Sequence, residues 1–283
     1  MTTAVQQIML GRAAGNERDA RKTLSRIRAA GYDAVELNRF MVHPAGLFVR
    51  LLTRMAGMPS GAGGKLDWPA LVRESGLSVV SLHADLGSIE REPDAVIADA
   101  ESLSTERIVV TGMYRFDYGD GGAVRELARR LNEAGERMKA SGLRLLYHNH
   151  NAELLRTDGG ITAYELLLNE TDPALVGFEF DSYWFTDAGA DVKGWMKKLG
   201  RRMELWHVTD RGVVRPKNAV TPILKADVIE AGRGSMDLDS LADIAEENGC
   251  VAAILETHRN FAQGDPVKSL KISAEWMRRR FHR

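Results

Sequence analysis

The chain has 283 residues, with 38 lysines and arginines against 39 aspartates and glutamates and a formal net charge of -1. This balance gives no general attraction to nucleic acid or to an anionic membrane surface. Cys250 is the one cysteine, which excludes a disulfide within the chain and makes a cytoplasmic location the expectation. The sequence also shows no signal-peptide pattern and no apolar stretch near membrane-spanning length.

In the first half of the chain, short apolar runs alternate with amphipathic segments of helical period. The predicted strands are 6–10, 33–37, 78–82 and 107–110, and the predicted helices are 17–30, 67–74, 93–103 and 122–141. Residues 40–66 break this plan, because they are rich in methionine, glycine and proline, with a short helical piece around 47–55. We interpret them as an extended loop insertion over the strand ends; a surface insertion or an oligomer contact is the alternative.

The second half continues the alternation. The predicted strands are 144–148, 176–181, 203–208 and 252–256, the predicted helices are 162–169, 191–199, 238–247 and 266–280, and 211–236 is a long loop. Eight strands alternating with eight helices and no linker predict an α/β protein with a single (β/α)8 TIM barrel domain over 1–283. The first strand is not followed by Gly-x-Gly-x-x-Gly, which argues against a dinucleotide site.

One polar segment stands out at a strand end. Residues 147–153 read Tyr-His-Asn-His-Asn-Ala-Glu directly after an apolar run, where packing gives no reason for such polarity. The carboxyl ends of barrel strands are where such proteins keep their chemistry. Later strand ends carry Asp181, His207 and Glu256, so four polar side chains are expected at one end of the barrel.

Strand alternation indicates the direction of some of these groups. In 177–181, Phe178 and Phe180 share the face towards the helices, which leaves Glu179 and Asp181 facing the interior. Glu153 lies beyond its strand, so alternation does not settle its direction.

These side chains form a mostly oxygen donor set: Glu153, Asp181, His207 and Glu256. Such a set suits Mn²⁺ or Mg²⁺, with Co²⁺, Fe²⁺ or Zn²⁺ as alternatives. Each residue alone has a structural explanation, as a satisfied buried histidine, a solvated or capping glutamate, or a helix-capping aspartate. Their recurrence at four successive strand ends favours a metal site.

The chain resembles the sugar phosphate isomerase/epimerase superfamily, the xylose isomerase-like barrels. The resemblance rests on residues 31–37, 147–153, 177–184, 207–210 and 255–256, in an order that covers nearly the whole chain. It implies that Glu153, Asp181, His207 and Glu256 are metal ligands. It further implies that Glu153 and Glu256 act as an acid/base pair on a sugar, by proton abstraction next to a carbonyl through an enediolate.

The sequence departs from ketose epimerases of this family in two places. Trp184 stands where they have a histidine, and Thr209 stands where many relatives have a lysine. These departures keep open a lyase or dehydratase acting on a keto-sugar, a keto-inositol or an oxidised glycoside. The expected substrate-contacting residues are Glu36, His83, His150, Trp184, Arg211 and His258.

Two other classes of protein are alternatives to a sugar enzyme. A phosphodiesterase of the endonuclease IV type needs about twice as many metal ligands and a basic groove for DNA, which this sequence lacks. A barrel subunit that is active only with a partner chain, or a homo-oligomer, is the remaining alternative. Otherwise the expected partner is a small sugar or cyclitol substrate.

Overall fold

A computed structural model describes residues 1–43, 66–214, 218 and 220–282. Its strands are Thr2–Gln6 (β1), Ala34–Asn38 (β2), Ser78–His83 (β3), Arg107–Thr111 (β4), Arg144–His148 (β5), Val176–Asp181 (β6), Met203–Val208 (β7), Asp210–Val213 (β8), Ala226–Ile229 (β9) and Ala252–Leu255 (β10). Eight of them close into a barrel in the order β1-β10-β7-β6-β5-β4-β3-β2, and β8 pairs with β9 separately. Neighbouring barrel strands run parallel, so the predicted (β/α)8 barrel is confirmed.

Helices surround this barrel. The α-helices in the described residues are Glu17–Ala30 (α1), Arg39–Val42 (α2), Trp68–Ser75 (α3), Leu86–Arg91 (α4), Pro93–Ser102 (α5), Gly121–Ala140 (α6), Ala163–Glu170 (α7), Ser182–Asp187 (α8), Val192–Leu199 (α9), Leu238–Asn248 (α10) and Pro266–Phe281 (α11). Several begin at a side-chain cap, as predicted for Asp67, which accepts a hydrogen bond from the Ala70 N–H. Gly31 ends α1 with φ of 100°, a conformation that favours glycine.

Two apolar layers hold the barrel together. The outer layer lies between strands and helices and includes Phe178 and Phe180, as alternation predicted. The inner layer is a small group of side chains from seven strands: Ala4, Ala34, Val80, Val109, Leu146, Leu205, Ala252 and Ile254. This inner layer fills the barrel below the carboxyl ends of the strands. The polar residues that follow along the strands towards these ends therefore lie directly above an apolar layer.

The first strand was predicted wrongly. Residues 6–10 were expected to form it, but β1 is Thr2–Gln6 and Gln7–Met9 is a turn of 3₁₀ helix. Thr2 to Val5 pair with β10, and Ala4 to Gln6 pair with β2, so this less apolar segment closes the barrel. The apolar side chains of Met9 and Leu10 pack in the outer layer from the turn, which explains why the apolar run was misleading.

Three further segments differ from expectation. The helices α4 and α8 follow β3 and β6 where no helix was predicted, and the predicted loop at 211–236 contains most of the β8–β9 hairpin. Residues 44–65 lie outside the described part, so the insertion at about 40–66 and the helical piece at 47–55 stay predictions. No helix in the described residues is long and apolar enough to cross a membrane.

Asp210 organises the β8–β9 hairpin. Its carboxylate is buried and accepts hydrogen bonds from the N–H groups of Arg211 (2.8 Å), Gly232 (3.1 Å), Gly234 (2.9 Å) and Met236 (3.0 Å). One side chain thereby satisfies four backbone donors of the loop that follows β7. Burial raises the pKa of Asp210, and the four N–H groups partly offset that effect.

Replacing this carboxylate should destabilise the chain. Asp210→Ala leaves four donors without their acceptor, and we expect the free energy of unfolding to fall by about 1–3 kcal/mol. Asp210→Asn retains one carbonyl acceptor and should lose less. Chemical denaturation of the three proteins measures the order; equal midpoints for wild type and Asp210→Ala would contradict this role.

Candidate active site

A buried polar cluster lies at the carboxyl ends of four barrel strands. It consists of His148, Asp181, His207 and Glu256, which each contribute one nitrogen or oxygen, all within 4.8 Å of one another. His148 ends β5, Asp181 ends β6, His207 is the penultimate residue of β7, and Glu256 directly follows β10. Two imidazoles and two carboxylates converging on one point are a donor set that fits a divalent transition metal.

Asp181 serves two purposes in this cluster. Its Oδ1 accepts hydrogen bonds from the N–H groups of Tyr183 (2.8 Å) and Trp184 (3.2 Å) and so caps α8. Its Oδ2 lies 3.9 Å from Nδ1 of His207. The helix-capping explanation and the ligand prediction for Asp181 are therefore compatible, because each uses a different oxygen.

Charge in the cluster is balanced within the protein. Burial disfavours the charged form of Glu256, but the nearby imidazole of His207, with Nδ1 at 3.1 Å from Oε2, outweighs it and holds the pKa of Glu256 well below its usual range. Burial also opposes the imidazolium of His207, but surrounding carboxylates outweigh it and raise the His207 pKa well above its usual value. Burial raises the pKa of Asp181. The side chain of Glu256 is 14% exposed, so an ionised carboxylate borders the mouth of the barrel.

A second buried group shares His207 with the first. Glu36, His83, Glu179 and His207 also bring one donor atom each within 4.8 Å. Nε2 of His207 lies 2.6 Å from Glu36, and Nε2 of His83 lies 3.1 Å from Glu36 and 3.0 Å from Glu179. Burial lowers the pKa of His83, but the two carboxylates outweigh it and raise that pKa to about 10. Glu36 and His83, expected to contact substrate, thus contact other protein side chains inside the barrel.

Glu153 is buried beside the cluster and belongs to neither of the two groups found in the described residues. The Tyr147 hydroxyl donates to its Oε1 at 2.7 Å, and the His150 N–H donates to its Oε2 at 3.0 Å. The Tyr118 hydroxyl lies 2.9 Å from that of Tyr147. Burial raises the pKa of Glu153. Its assignment as a metal ligand stays a prediction of the sequence.

A row of aromatic rings leads from the cluster to the rim of the barrel. The His150 ring centroid lies 5.0 Å from that of His148 and 5.6 Å from that of Trp184. Trp184 in turn stacks on His258, with centroids 5.1 Å apart and ring planes 4° from parallel. The structure thus brings together three of the predicted substrate-contacting residues.

Arg211 is held differently. It lies in β8, and its Nε donates to Asp187 at 3.0 Å, where both side chains are about one-third exposed. A substrate that used this guanidinium would share it with Asp187.

The sequence motif alone did not reveal that His148 and Glu179 take part in the site. His148 was noted in the polar segment without a role, yet it joins the cluster, while Glu179 was expected only to face the interior. Alternation along β5 contained the missing signal: Leu146 belongs to the inner layer, so His148, two residues later, shares its direction.

Comparison with known proteins agrees with this architecture. The family model described as xylose isomerase-like TIM barrel matches residues 24–280, so the chain belongs to that family. Its members include isomerases, epimerases and dehydratases.

Two curated relatives are inosose dehydratases. The enzyme of Mesomycoplasma hyopneumoniae strain 7448 is 33% identical over 84 residues, which is 30% of this chain and 27% of the relative. That of Clostridium perfringens strain ATCC 13124 is 27% identical over 150 residues, half of each protein. The alignments thus span between about a quarter and a half of these relatives.

Solved structures extend the similarity over the whole fold. A sugar phosphate isomerase/epimerase from Parabacteroides distasonis superposes with a TM-score of 0.76 at 20% identity, covering 98% of this chain and 93% of that protein. The IolI protein, solved with a bound zinc atom, superposes with a TM-score of 0.67 at 14% identity, covering 99% of this chain and 97% of that protein. At these identities the superpositions show a common fold.

Proposed function

We propose that this chain is a divalent-metal-dependent enzyme that removes a proton from the carbon next to the carbonyl of a sugar or cyclitol. The observation that carries the proposal is the convergence of His148, Asp181, His207 and Glu256 at the barrel mouth. A bound divalent ion would stabilise the negative charge that develops on the carbonyl oxygen when the proton leaves.

The chemistry of the donors limits the metal. The sequence favoured Mn²⁺, with Mg²⁺ among the alternatives, on the basis of three carboxylates and one imidazole. If His148 is the fourth ligand in place of Glu153, the donor set becomes two imidazoles and two carboxylates. Such a set favours Mn²⁺, Fe²⁺, Co²⁺ or Zn²⁺ over Mg²⁺. The zinc bound to the IolI protein supports the inclusion of Zn²⁺.

Two glutamates are proposed for proton transfer. Glu256 acts as the base, because the neighbouring imidazole of His207 favours its charged form and its side chain reaches the barrel mouth. Glu153 acts as the proton-donating partner, because burial favours its neutral form and the hydroxyl of Tyr147 orients it. Return of a proton to the same carbon, on its other face, completes an epimerisation. Return of a proton to the neighbouring carbon completes an isomerisation.

The aromatic row supports a cyclic substrate. Trp184 stacks on His258 and the His150 ring is inclined at 52° to Trp184, so aromatic surface lies next to the cluster, and a sugar or cyclitol ring presents apolar C–H groups to such a surface. Glu36, His83 and Arg211 are proposed to act on the substrate indirectly, since each is already bound to protein side chains.

Dehydration is the second candidate. The two curated relatives are inosose dehydratases, and elimination of water begins with the same proton abstraction. The candidates differ in the fate of the carbanion, which either regains a proton or expels a hydroxyl group from the neighbouring carbon. A protonated Glu153 could serve either outcome.

Turnover in heavy water tests the proposal. The purified chain, with Mn²⁺ or Zn²⁺ or with chelator, is incubated with keto-sugars, keto-inositols and oxidised glycosides and followed by NMR. We expect metal-dependent conversion of one class, with deuterium entering at the carbon next to the carbonyl in an isomerase or epimerase, and an unsaturated product in a dehydratase. Metal-independent conversion would contradict the proposal; conversion only after a partner chain is added would favour the partner-dependent alternative.

A further inference from the structure

Each imidazole of the cluster is held from behind by a buried carboxylate. Nε2 of His207 lies 2.6 Å from Oε2 of Glu36, which leaves Nδ1 facing Asp181 and Glu256. Nδ1 of His148 lies 3.0 Å from Oε2 of Glu179, which leaves Nε2 available. The two histidines therefore offer opposite ring nitrogens to the same point.

The two carboxylates are themselves fixed. Ser81 donates its hydroxyl to Oε1 of Glu36 at 2.5 Å, and Nε2 of His83 lies between Glu36 and Glu179, about 3 Å from each. Glu36 and Glu179 have no exposed surface. Placing two carboxylates in the barrel interior requires a cation between them, and His83 supplies one.

The strand next to each carboxylate carries one extra residue. The pairing of β2 with β3 shifts between Val35 and Glu36, and that of β6 with β7 shifts between Phe178 and Glu179. Such irregularities re-aim the side chains that follow them. In both places the extra residue lies in the partner strand, β3 or β7, so the segments that carry His83 and His207 are the ones re-aimed towards the two glutamates.

We propose that Glu36, His83 and Glu179 are positioning residues that fix which ring nitrogens His207 and His148 present to the metal. The inference rests on the proposed function and deepens it. A carboxylate behind a metal-binding imidazole fixes its tautomer and orientation, and loss of such a partner typically lowers metal affinity about 10–100-fold.

A deeper metal site is the competing explanation. Glu36, His83, Glu179 and His207 are close enough to hold a cation themselves. The positioning role is favoured because Glu36, His83 and Glu179 are buried inside the barrel, whereas Glu256 of the first cluster is 14% exposed at the barrel mouth, where a substrate can reach a bound metal.

The test compares Glu36→Gln and Glu179→Gln with wild type and with Glu230→Gln. Glu230 is a suitable control because it is also a buried glutamate but accepts hydrogen bonds from the Ser269 hydroxyl and the Ala262 N–H instead. Zn²⁺ affinity is measured by competition with a chelator, and the imidazole N–H resonances are recorded by NMR on the zinc-loaded proteins. Thermal unfolding of each metal-free protein identifies variants that fail to fold; Glu36→Asp and Glu179→Asp replace any that do.

We expect each cluster variant to bind Zn²⁺ about 10–100-fold more weakly. Glu36→Gln should alter the N–H resonance of His207, and Glu179→Gln that of His148, while Glu230→Gln changes neither. Unchanged affinity and resonances would overturn the positioning role. Binding of a second equivalent of Zn²⁺ by the wild type that is lost in Glu179→Gln would also overturn it, because that result would indicate the deeper metal site. A wild-type chain that binds no divalent metal would instead overturn the proposed function, and this inference with it.

Discussion

A Glu256→Gln variant is expected to turn over its substrate about 10²–10⁴-fold more slowly than the wild type, the usual loss when a general base is removed. Glutamine keeps the length of the side chain and one oxygen for a metal, but it cannot accept the substrate proton. Substrate affinity should change far less than turnover, because the aromatic row of Trp184, His258 and His150 is left intact. The measurement is the kcat and KM of both proteins on a substrate identified beforehand, with metal content confirmed.

Two further variants sharpen this result. Glu153→Gln removes the proposed proton donor and should also slow turnover strongly, whereas Glu204→Gln removes a carboxylate that pairs with Arg144 near the starts of β7 and β5, at the opposite end of these strands from the cluster, and should leave kcat near the wild-type value. Exchange of substrate with solvent deuterium should fall in parallel with kcat in Glu256→Gln. Near-normal turnover of both Glu256→Gln and Glu153→Gln, with no deuterium in the product, would show that enolate chemistry is the wrong mechanism. A hydride shift would then explain the reaction better.

Most of the barrel could be predicted because seven of its strands coincide with a local apolar run bounded by helix signals. Residues 144–148, 176–181 and 203–208 were predicted with the bounds that the structure has. The first strand could not be found in this way. Thr2–Gln6 becomes a strand through pairing with β10 and β2, which is a property of barrel closure and not of the local sequence.

The same difference between local sequence patterns and long-range contacts applies to the residues of the site. The convergence of Asp181, His207 and Glu256 was predictable because polar residues recur near the ends of successive strands, which a barrel brings to one place. Glu153 lies beyond its strand, in a short 3₁₀ turn, where the direction of a side chain depends on the turn and on the hydroxyl of Tyr147. The link between Glu36 and His207 joins residues 171 positions apart and becomes visible only when β2 faces β7 across the lumen.

Asp181→Asn should separate the two uses of this side chain. Asparagine can still accept the hydrogen bonds of the Tyr183 and Trp184 N–H groups through Oδ1, so the cap of α8 is kept. Its amide nitrogen replaces the Oδ2 that faces His207, which removes both a ligand and a negative charge. We expect metal affinity to fall by more than about 100-fold, beyond the loss typical of residues behind the ligands. The free energy of unfolding of the metal-free protein should change little.

Asp181→Ala is the matched variant, because it loses the ligand and also the cap, which is worth about 1 kcal/mol. It should therefore bind metal as poorly as Asp181→Asn and unfold at lower denaturant concentration. Dialysis against Mn²⁺ or Zn²⁺ followed by elemental analysis measures occupancy, and His148→Ala and Glu153→Ala in the same series identify the fourth ligand. Loss of metal in His148→Ala with retention in Glu153→Ala would support the cluster seen in the structure, and the reverse would support the ligand set predicted from the sequence. Wild-type metal affinity in Asp181→Asn would refute the site altogether, since Asp181 is the residue that the end of β6 contributes to the cluster.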